Sequence, residues 1–558
     1  MPPIIRNSLL ILCFVVTGCS PAGNIVFING HIITLDHQDR IVEAVAVEDG
    51  VIVAVGSNAD VRPFIDQNFK VLDLQGKTMA PGFIDAHGHF PGSGLKEIEV
   101  DLNSPPIGQI TTIQQLKLAL KEKLEATKSD GWVSGFGYDD TLLQEQRHPT
   151  RLDLDEVTSD YPIFIRHISG HLAVVNSAAL ALANITAATP DPVGGMIGRD
   201  PVSGEPNGIL EETAMDLILA VFPTPSVIDS LKMTLSATKE YASKGVTTAQ
   251  NGLAEKAYFN PLRLASLAGL LKQRIVMWPS LALGKEILAG SYKPSSNNRF
   301  KVGAIKMVAD GSIQGFTGYL REPYFTACEG DEFYRGYPRT PLQQLKSDVL
   351  AFHKAGYQIA IHGNGDAAID DIIEAIAAAQ AEFPRDDARH IIVHAQMVQD
   401  DQLDQMQKLG ITPSYFSLHT YYWGDRHRNI FMGPERASRM SPSRSTLDRG
   451  IPFTLHADTP VVPMDPMLLM WSAVNRESYL GTPIGDYEKI DALNALKAIT
   501  INAAWQIFEE QHRGSIEIGK VADLVVLSDD PLAHPESLNT IKVLNTYLNG
   551  AEVYHLKN

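Results

Sequence analysis

The chain has 558 residues, of which 44% are hydrophobic and 20% are charged. This length and composition exclude both a single small module and a disordered chain, and they favour a compact protein of two or more domains. The formal net charge of -18, with no basic stripe to offset it, argues against nucleic acid as a partner because phosphates would be repelled.

The first nineteen residues are typical of a bacterial lipoprotein signal. Arg6 precedes a short apolar run over residues 9–16, and a Thr-Gly-Cys sequence ending at Cys19 follows it. The run is too short to span a bilayer, and small residues before a cysteine resemble the lipobox, in which the cysteine is acylated. We therefore expect a lipid anchor on Cys19 and a location in the bacterial cell envelope, on the periplasmic side of the outer membrane. A plain secretory signal is the alternative.

Both ends of the chain are rich in short β-type runs. Residues 24–74 alternate apolar runs with turn residues, and residues 522–550 have the same character. Such patterns predict hairpins, and edge strands left alone are poorly stable. Residues 24–78 and 515–558 are therefore predicted to form one small composite β-sandwich.

Residues 79–514 alternate apolar β-type runs with helical segments, as expected for parallel strands joined by crossover helices. There are eight such runs: Gly82–Ala86, Val246–Asn251, Ile275–Leu281, Val302–Val308, Gln358–Ile361, Ile391–Val393, Ile411–Tyr415 and Pro452–Leu455. They predict an α/β fold built on a TIM-type (β/α)8 barrel. The first connection is longer than a crossover helix requires. Residues 90–240 are therefore predicted to be an inserted subdomain, with helices near 112–127 and 227–243 and a glycine-rich segment at 132–140.

The strongest local motif ends the first predicted barrel strand. After the apolar run that begins at Gly82, two histidines stand two positions apart, at His87 and His89. The period-two geometry of a strand points both imidazoles the same way, so they could share one cation as neutral nitrogen ligands. For this motif alone, surface or hydrogen-bonded histidines remain an equal alternative.

Three later apolar runs also end in residues of the metal-ligand type, namely His362, His394 and Asp458. The carboxyl ends of all strands in a TIM barrel meet at one face. Ligand-type residues at the ends of strands one, five, six and eight therefore predict a single metal site. The alternative for Asp458 is a helix N-cap, because a Thr-Pro turn follows it.

In their order along the chain, His87-Gly88-His89, His362, His394 and Asp458 resemble the ligand set of the amidohydrolase superfamily. The sequence is most similar to the amidohydrolase-3 or YtcJ-like branch, which includes N-substituted formamide deformylases. The resemblance covers nearly the whole mature chain, and the segments most similar to this branch are 171–177, 303–312, 362–366, 457–461 and 514–523. His456-Ala457 stands where the family commonly has Gly-Ser, which changes the expected pocket shape but leaves the ligand Asp458 intact.

The resemblance implies a divalent metal centre, with zinc the expected ion and one or two ions per chain. The implied ligands are His87, His89, Lys306, His362, His394 and Asp458. Metal ions of this kind acidify water and polarise a carbonyl group. Asp458 is the predicted catalytic residue, which deprotonates the water and passes the proton to the leaving nitrogen.

Lys306 enters this set through its place in the fourth predicted strand. In several relatives such a lysine is N6-carboxylated, and the carbamate bridges two metal ions. An ordinary lysine paired with Asp310 is the alternative, and it would leave a one-metal site.

The predicted substrate contacts are His171, Tyr324 and His419, although each could equally be structural. Together these features predict a hydrolase that cleaves a non-peptide carbon–nitrogen bond, of the amide or formamide type, in a small molecule. An N-acyl amino acid hydrolase, a cyclic amide hydrolase or a deaminase could use the same site. From a different class, the chain could be a non-catalytic, metal-binding lipoprotein. Homo-oligomerisation is left open.

Overall fold

The computed structural model of the protein describes residues 24–65, 69–127, 131–328 and 330–557. The predicted signal segment, with Cys19, lies outside the described residues. Within the described ranges, no helix combines the length and the apolar character needed to cross a membrane. These ranges form a mixed α/β structure with five sheets.

Two of the sheets are built from the two ends of the described chain. In spatial order, the four-stranded sheet contains Val51–Gly56, Ala44–Glu48, Ile25–Ile28 and Lys70–Asp73. The six-stranded sheet contains Ala551–His555, Val543–Leu548, Leu524–Leu527, Thr78–Pro81, His31–Ile33 and Ile41–Val42. Inward-facing apolar residues of both sheets share one cluster, where the rings of Phe27 and Tyr547 meet edge to face at 5.1 Å.

A third sheet lies in the long segment that follows the first central strand. Its spatial order is Gly195–Arg199, Pro206–Glu212, Leu172–Val175, Ile163–His167, Val133–Tyr138 and Val100–Asp101. The helices of this segment are Ile113–Thr127, Arg151–Asp155, Ser177–Leu182, Met215–Leu219 and Val227–Ser243. The last of these begins after Ser226, whose side chain accepts the N–H of Asp229 and caps the helix.

The central strands are all parallel and form two sheets. The first contains Phe83–Ile84, Val246–Ala254, Arg274–Pro279 and Phe300–Val302, and the second contains Ile305–Val308, Ile359–Gly363, Ile391–His394, Thr412–Tyr415 and Thr454–Leu455. The eight predicted runs all coincide with these strands. The predicted fourth strand, Val302–Val308, is however divided at Gly303, where a Cβ atom would lie 2.7 Å from the indole of Trp278.

Helices flank the parallel strands. They are Lys256–Leu267, Leu281–Leu288, Leu342–Lys354, Asp366–Glu382, Asp400–Leu409, Leu418–Arg426, Gly433–Arg439, Ser443–Asp448, Pro466–Asn475, Ala492–Ala498 and Ile501–Gln506. In Asp366–Glu382, isoleucines recur at helical spacing and are buried, among them Ile369, Ile372 and Ile376. Burial of each such isoleucine stabilises the folded state by about 1.5–3 kcal/mol relative to leaving the side chain exposed. Because the strands within each of the two sheets are parallel, their carboxyl ends lie at the same edge of that sheet.

Candidate metal centre

The strand Phe83–Ile84 leads directly to His87 and His89. The His87 ring is buried and stacks on Trp278, with ring centroids 5.4 Å apart. Gly252 leaves room for this ring, since a Cβ atom there would lie 2.1 Å from Cε1 of His87. The His89 side chain, in contrast, keeps 34% of its surface exposed. The motif therefore supplies one fixed and one accessible imidazole.

Three imidazoles converge on the carboxylate of Asp458. The Nε2 atoms of His89 and His87 lie 3.1 and 3.4 Å from Oδ1, and Nε2 of His394 lies 3.9 Å from Oδ2. One potential ligand atom from each of His87, His394 and Asp458 lies within 4.8 Å of the other two. Ligand atoms about 2 Å from a tetrahedral ion are about 3.3 Å apart. These groups therefore have the spacing of a ligand shell around one divalent cation.

The charges of these groups also suit metal ligands. Burial, together with the Lys306 ammonium, holds the pKa of His87 well below its usual range, and burial beside His362 does the same for the pKa of His394. Burial alone would raise the pKa of Asp458, but the hydrogen bond with His89 and the neighbouring imidazoles bring that pKa well below its ordinary value. Neutral imidazoles and an ionised carboxylate are the forms that donate to a metal ion. The residues present fit such an ion.

The backbone joins Asp458 to the first histidine motif. The Asp458 N–H donates to the carbonyl of His87 at 3.2 Å, and the His89 N–H donates to the carbonyl of Thr459 at 2.8 Å. Asp458 does not cap a helix, because Asp465 is the N-cap of the next helix, Pro466–Asn475. The helix-cap alternative for Asp458 is therefore wrong.

Lys306 lies beside the same ligands. Its Nζ atom is 3.1 Å from Nε2 of His87, and burial lowers the pKa of the ammonium to about 7. The alternative pairing with Asp310 is not observed. The Asp310 carboxylate instead accepts the backbone N–H groups of Tyr319, Asn364 and Gly365 at 2.8–2.9 Å. Among the described residues, Lys306 forms no ion pair with a carboxylate.

His362 lies next to the centre, and its Nε2 atom has partners outside the group around Asp458. Its ring centroid is 4.5 Å from that of His394. Its Nε2 atom is 3.0 Å from the carbonyl oxygen of Gly311 and 3.1 Å from Nδ2 of Asn364. Coordination by His362 therefore stays a prediction, because the nitrogen that would bind a cation is engaged by a backbone carbonyl.

Two of the three predicted substrate contacts line a cavity beside Asp458. His171 and His419 are both in its wall. Nδ1 of His171 lies 2.9 Å from Oε1 of the buried Glu212. The structure does not bring Tyr324 to this cavity, because its hydroxyl donates to the carbonyl of Gly318 at 3.0 Å within a separate hydrophobic cluster. Tyr324 is a packing residue in this structure.

Sequence reasoning missed several residues of the site. Trp278 lies in the middle of the predicted strand Ile275–Leu281, and nothing in that position marked it as a neighbour of His87. Glu212 gave no signal, because its contact with His171 joins positions 41 residues apart. His456 was noticed only as a departure from the family pattern, yet its Nε2 atom lies 3.1 Å from Nδ1 of His394.

Comparison with known proteins covers most of the chain. A family model described as the amidohydrolase family matches residues 70–554. The N-substituted formamide deformylase of Arthrobacter pascens is 29% identical over 544 residues, which cover 95% of this chain and 98% of that protein. The putative amidohydrolase YtcJ of Bacillus subtilis (strain 168) is 30% identical over 551 residues, which cover 94% of this chain and 98% of that protein.

The fold has a counterpart among solved structures. An uncharacterized metal-dependent hydrolase from Pyrococcus horikoshii OT3 superposes with a TM-score of 0.73 at 23% identity, covering 92% of this chain and 99% of that chain. At this level of identity the likeness concerns the fold. The extent of the family match, together with the relatives above, confirms the predicted resemblance: the chain belongs to the amidohydrolase family.

Proposed function

We propose that this protein is a zinc-dependent hydrolase that cleaves the non-peptide carbon–nitrogen bond of a small amide or formamide. The observation that carries the proposal is the convergence of the His87, His89 and His394 nitrogens on the Asp458 carboxylate, at 3.1–3.9 Å. The similarity to an N-substituted formamide deformylase, over 95% of this chain, supports the choice of bond.

The residues around Asp458 have distinct roles in the proposed reaction. A divalent cation held by these side chains supplies Lewis acidity, which acidifies a water and polarises the amide carbonyl. Asp458 accepts a proton from the attacking water and donates it to the amide nitrogen as the carbon–nitrogen bond breaks. This transfer matters because an amine leaves poorly until it is protonated. The products are a carboxylic acid, or formate, and an amine.

His89 and His171 have different roles in this proposal. His89 Nε2, 3.1 Å from Oδ1 of Asp458, would bind the same cation as that carboxylate. Glu212 occupies Nδ1 of His171 and leaves Nε2 as the remaining polar atom of a ring in the cavity wall. We assign His171 and His419 to substrate binding on the strength of this position.

We further propose that Lys306 is N6-carboxylated and contributes to a two-metal site. The Lys306 ammonium would first lose a proton, and the neutral amine would then attack CO2, forming a nitrogen–carbon bond as one carbon–oxygen π bond breaks and a second proton leaves, so that a carbamate anion and two protons replace an ammonium cation and CO2. Two features of Lys306 support this: its side chain is buried and lies 3.1 Å from a proposed ligand, His87. A retained ammonium would repel a cation bound to His87.

We also infer that the two parallel sheets belong to one (β/α)8 barrel over residues 79–514. A parallel bridge between Ser280 and Lys306 connects the two sheets on one side, and the backbone hydrogen bonds between residues 87–89 and 458–459 connect them on the other. Residues 90–240 are then an insertion. Residues 24–78 and 515–558 form a composite β-sandwich.

The decisive experiment is a hydrolysis screen with metal-loaded protein. We expect purified protein to carry one or two zinc ions per chain, to release amine from small amides or N-substituted formamides, and to lose activity with a chelator. Elemental analysis also tests the proposed carboxylation of Lys306. If the carbamate is present, we expect two zinc ions per chain in the wild type and one in Lys306→Gln. If only N-acyl amino acids, cyclic amides or amino-heterocycles are turned over, the protein is instead an N-acyl amino acid hydrolase, a cyclic amide hydrolase or a deaminase. Absence of zinc after supplemented expression would refute the metal centre.

We propose in addition that Cys19 carries the lipid that anchors the protein to the envelope. The support is the sequence Thr-Gly-Cys after the apolar run at 9–16. Expressed with its leader, the wild type is expected in the membrane fraction and to incorporate labelled fatty acid, whereas Cys19→Ala is expected to do neither. Labelling of the alanine variant would exclude Cys19 as the acylated residue.

A further inference from the structure

A chain of buried hydrogen bonds leads away from His394 through the second parallel sheet. Its successive links are His394 Nδ1 to His456 Nε2 at 3.1 Å, His456 Nδ1 to Ser414 Oγ at 2.8 Å, Ser414 Oγ to Thr454 Oγ1 at 2.8 Å, Thr454 Oγ1 to Gln506 Oε1 at 3.0 Å, Gln506 Nε2 to Thr412 Oγ1 at 3.2 Å and Thr412 Oγ1 to the carbonyl of Pro452 at 2.6 Å. All six side chains are buried. Each donor in this series of hydrogen bonds therefore depends on an acceptor within the same series.

The end at Pro452 fixes the direction of the distal links. A carbonyl oxygen can only accept, so the Thr412 hydroxyl donates to Pro452 and must accept from the Gln506 side chain. The Gln506 group that faces Thr412 is therefore the NH2, and its oxygen faces Thr454. Since that oxygen can only accept, the Thr454 hydroxyl donates to it and shares the same proton with Ser414 Oγ.

The same reasoning continues to the histidines. Ser414 Oγ accepts from the Thr454 hydroxyl with one lone pair, and its other lone pair, 2.8 Å from Nδ1 of His456, accepts the Nδ1–H of that ring. A neutral imidazole with its proton on Nδ1 has an acceptor at Nε2. His394 must then donate its Nδ1–H to His456. The lone pair of His394 Nε2 is left on the side of Asp458.

We propose that His456 is a positioning residue, which holds His394 in the tautomer and ring orientation that a metal ligand requires. A histidine that binds a metal through one ring nitrogen usually donates a hydrogen bond from the N–H of the other ring nitrogen to an outer partner. Loss of that partner lowers metal affinity or activity about 10- to 100-fold. In this protein the partner is a second imidazole, whose own Nδ1 faces Ser414 Oγ at 2.8 Å. The inference rests on the proposed metal centre at Asp458.

Zinc affinity, measured by competition with a chromogenic chelator, tests the role of His456. His456→Leu removes the acceptor and is expected to weaken zinc binding about 10- to 100-fold. His456→Gln places an amide oxygen where it can accept from His394, and it is expected to restore most of the lost affinity. Equal losses in the two variants would mean that only packing matters, and an unchanged His456→Leu affinity would also overturn the inference.

His353→Leu is the matched control. His353 is a second fully buried histidine bonded to an imidazole, with Nδ1 2.8 Å from Nε2 of His390, but it lies outside the centre. It is expected to lower the unfolding temperature without changing zinc affinity. A comparable affinity loss in this control would assign the His456 effect to general destabilisation.

Ser414→Ala covers the case in which His456→Leu does not fold. This small change removes the acceptor of His456 Nδ1–H, favours the opposite tautomer and is expected to weaken zinc binding by a smaller factor. Wild-type affinity in Ser414→Ala would overturn the proposed control of the tautomer. If the wild type itself takes up no zinc, the proposed metal centre is wrong. If the wild type and the His456 variants bind zinc with equal affinity, the metal centre stands and only the positioning role of His456 is wrong.

Discussion

Replacing Asp458 with asparagine is expected to lower kcat by about 10²- to 10⁴-fold, the range that a general acid–base group contributes. The asparagine side chain keeps the size of the carboxylate and one oxygen that can face His89, but it cannot accept the proton of the attacking water. We therefore expect the variant to fold and to retain part of its zinc. Kinetics on metal-loaded protein, with zinc content measured on the same sample, separate loss of turnover from loss of metal.

Asp465→Asn is the matched control for this experiment. Asp465 stands seven positions later and caps the helix Pro466–Asn475, where its Oδ1 accepts the N–H of Leu468 at 3.2 Å. Asparagine caps helices as well as aspartate does, so kcat is expected to stay at the wild-type value. If Asp458→Asn also retains wild-type kcat, the proton transfers belong to another residue.

The parts of the fold that the sequence predicts best are those with a strong local pattern. The eight apolar runs and the helices near 112–127 and 227–243 are found close to their predicted positions. The break at Gly303 could not be read from the chain, because it depends on the approach of Trp278 from another strand. The six-stranded sheet between Val100 and Glu212 was likewise not predicted in detail, since its strand order is set by contacts distant in sequence.

The candidate site follows the same division. His87, His394 and Asp458 each end an apolar run, and a barrel brings such positions together, so their convergence could be predicted without coordinates. The direction in which each side chain points could not. His362 ends a run in the same way, yet its Nε2 atom faces the carbonyl of Gly311. Tyr324 has the right residue type but is used in packing.

The two histidines of the first motif differ in a way that makes His89 the better target for a test of metal binding. His87 is buried against Trp278, and its removal would leave a cavity that destabilises the fold. His89 is one-third exposed and contacts Asp458 through Nε2. Its loss therefore costs the fold little and acts on the centre directly.

We expect His89→Ala to weaken zinc binding by at least about 100-fold, the upper end of the cost of losing even an outer partner of a ligand. Turnover should fall in parallel at limiting zinc, because the cation is lost with its ligand. The measurement is zinc affinity by chelator competition, with His534→Ala as control, since His534 is an exposed histidine whose ion pair is with Glu536, at 3.7 Å. Unchanged zinc affinity with reduced turnover in His89→Ala would make His89 a substrate contact, and the centre would then consist of His87, His394 and Asp458.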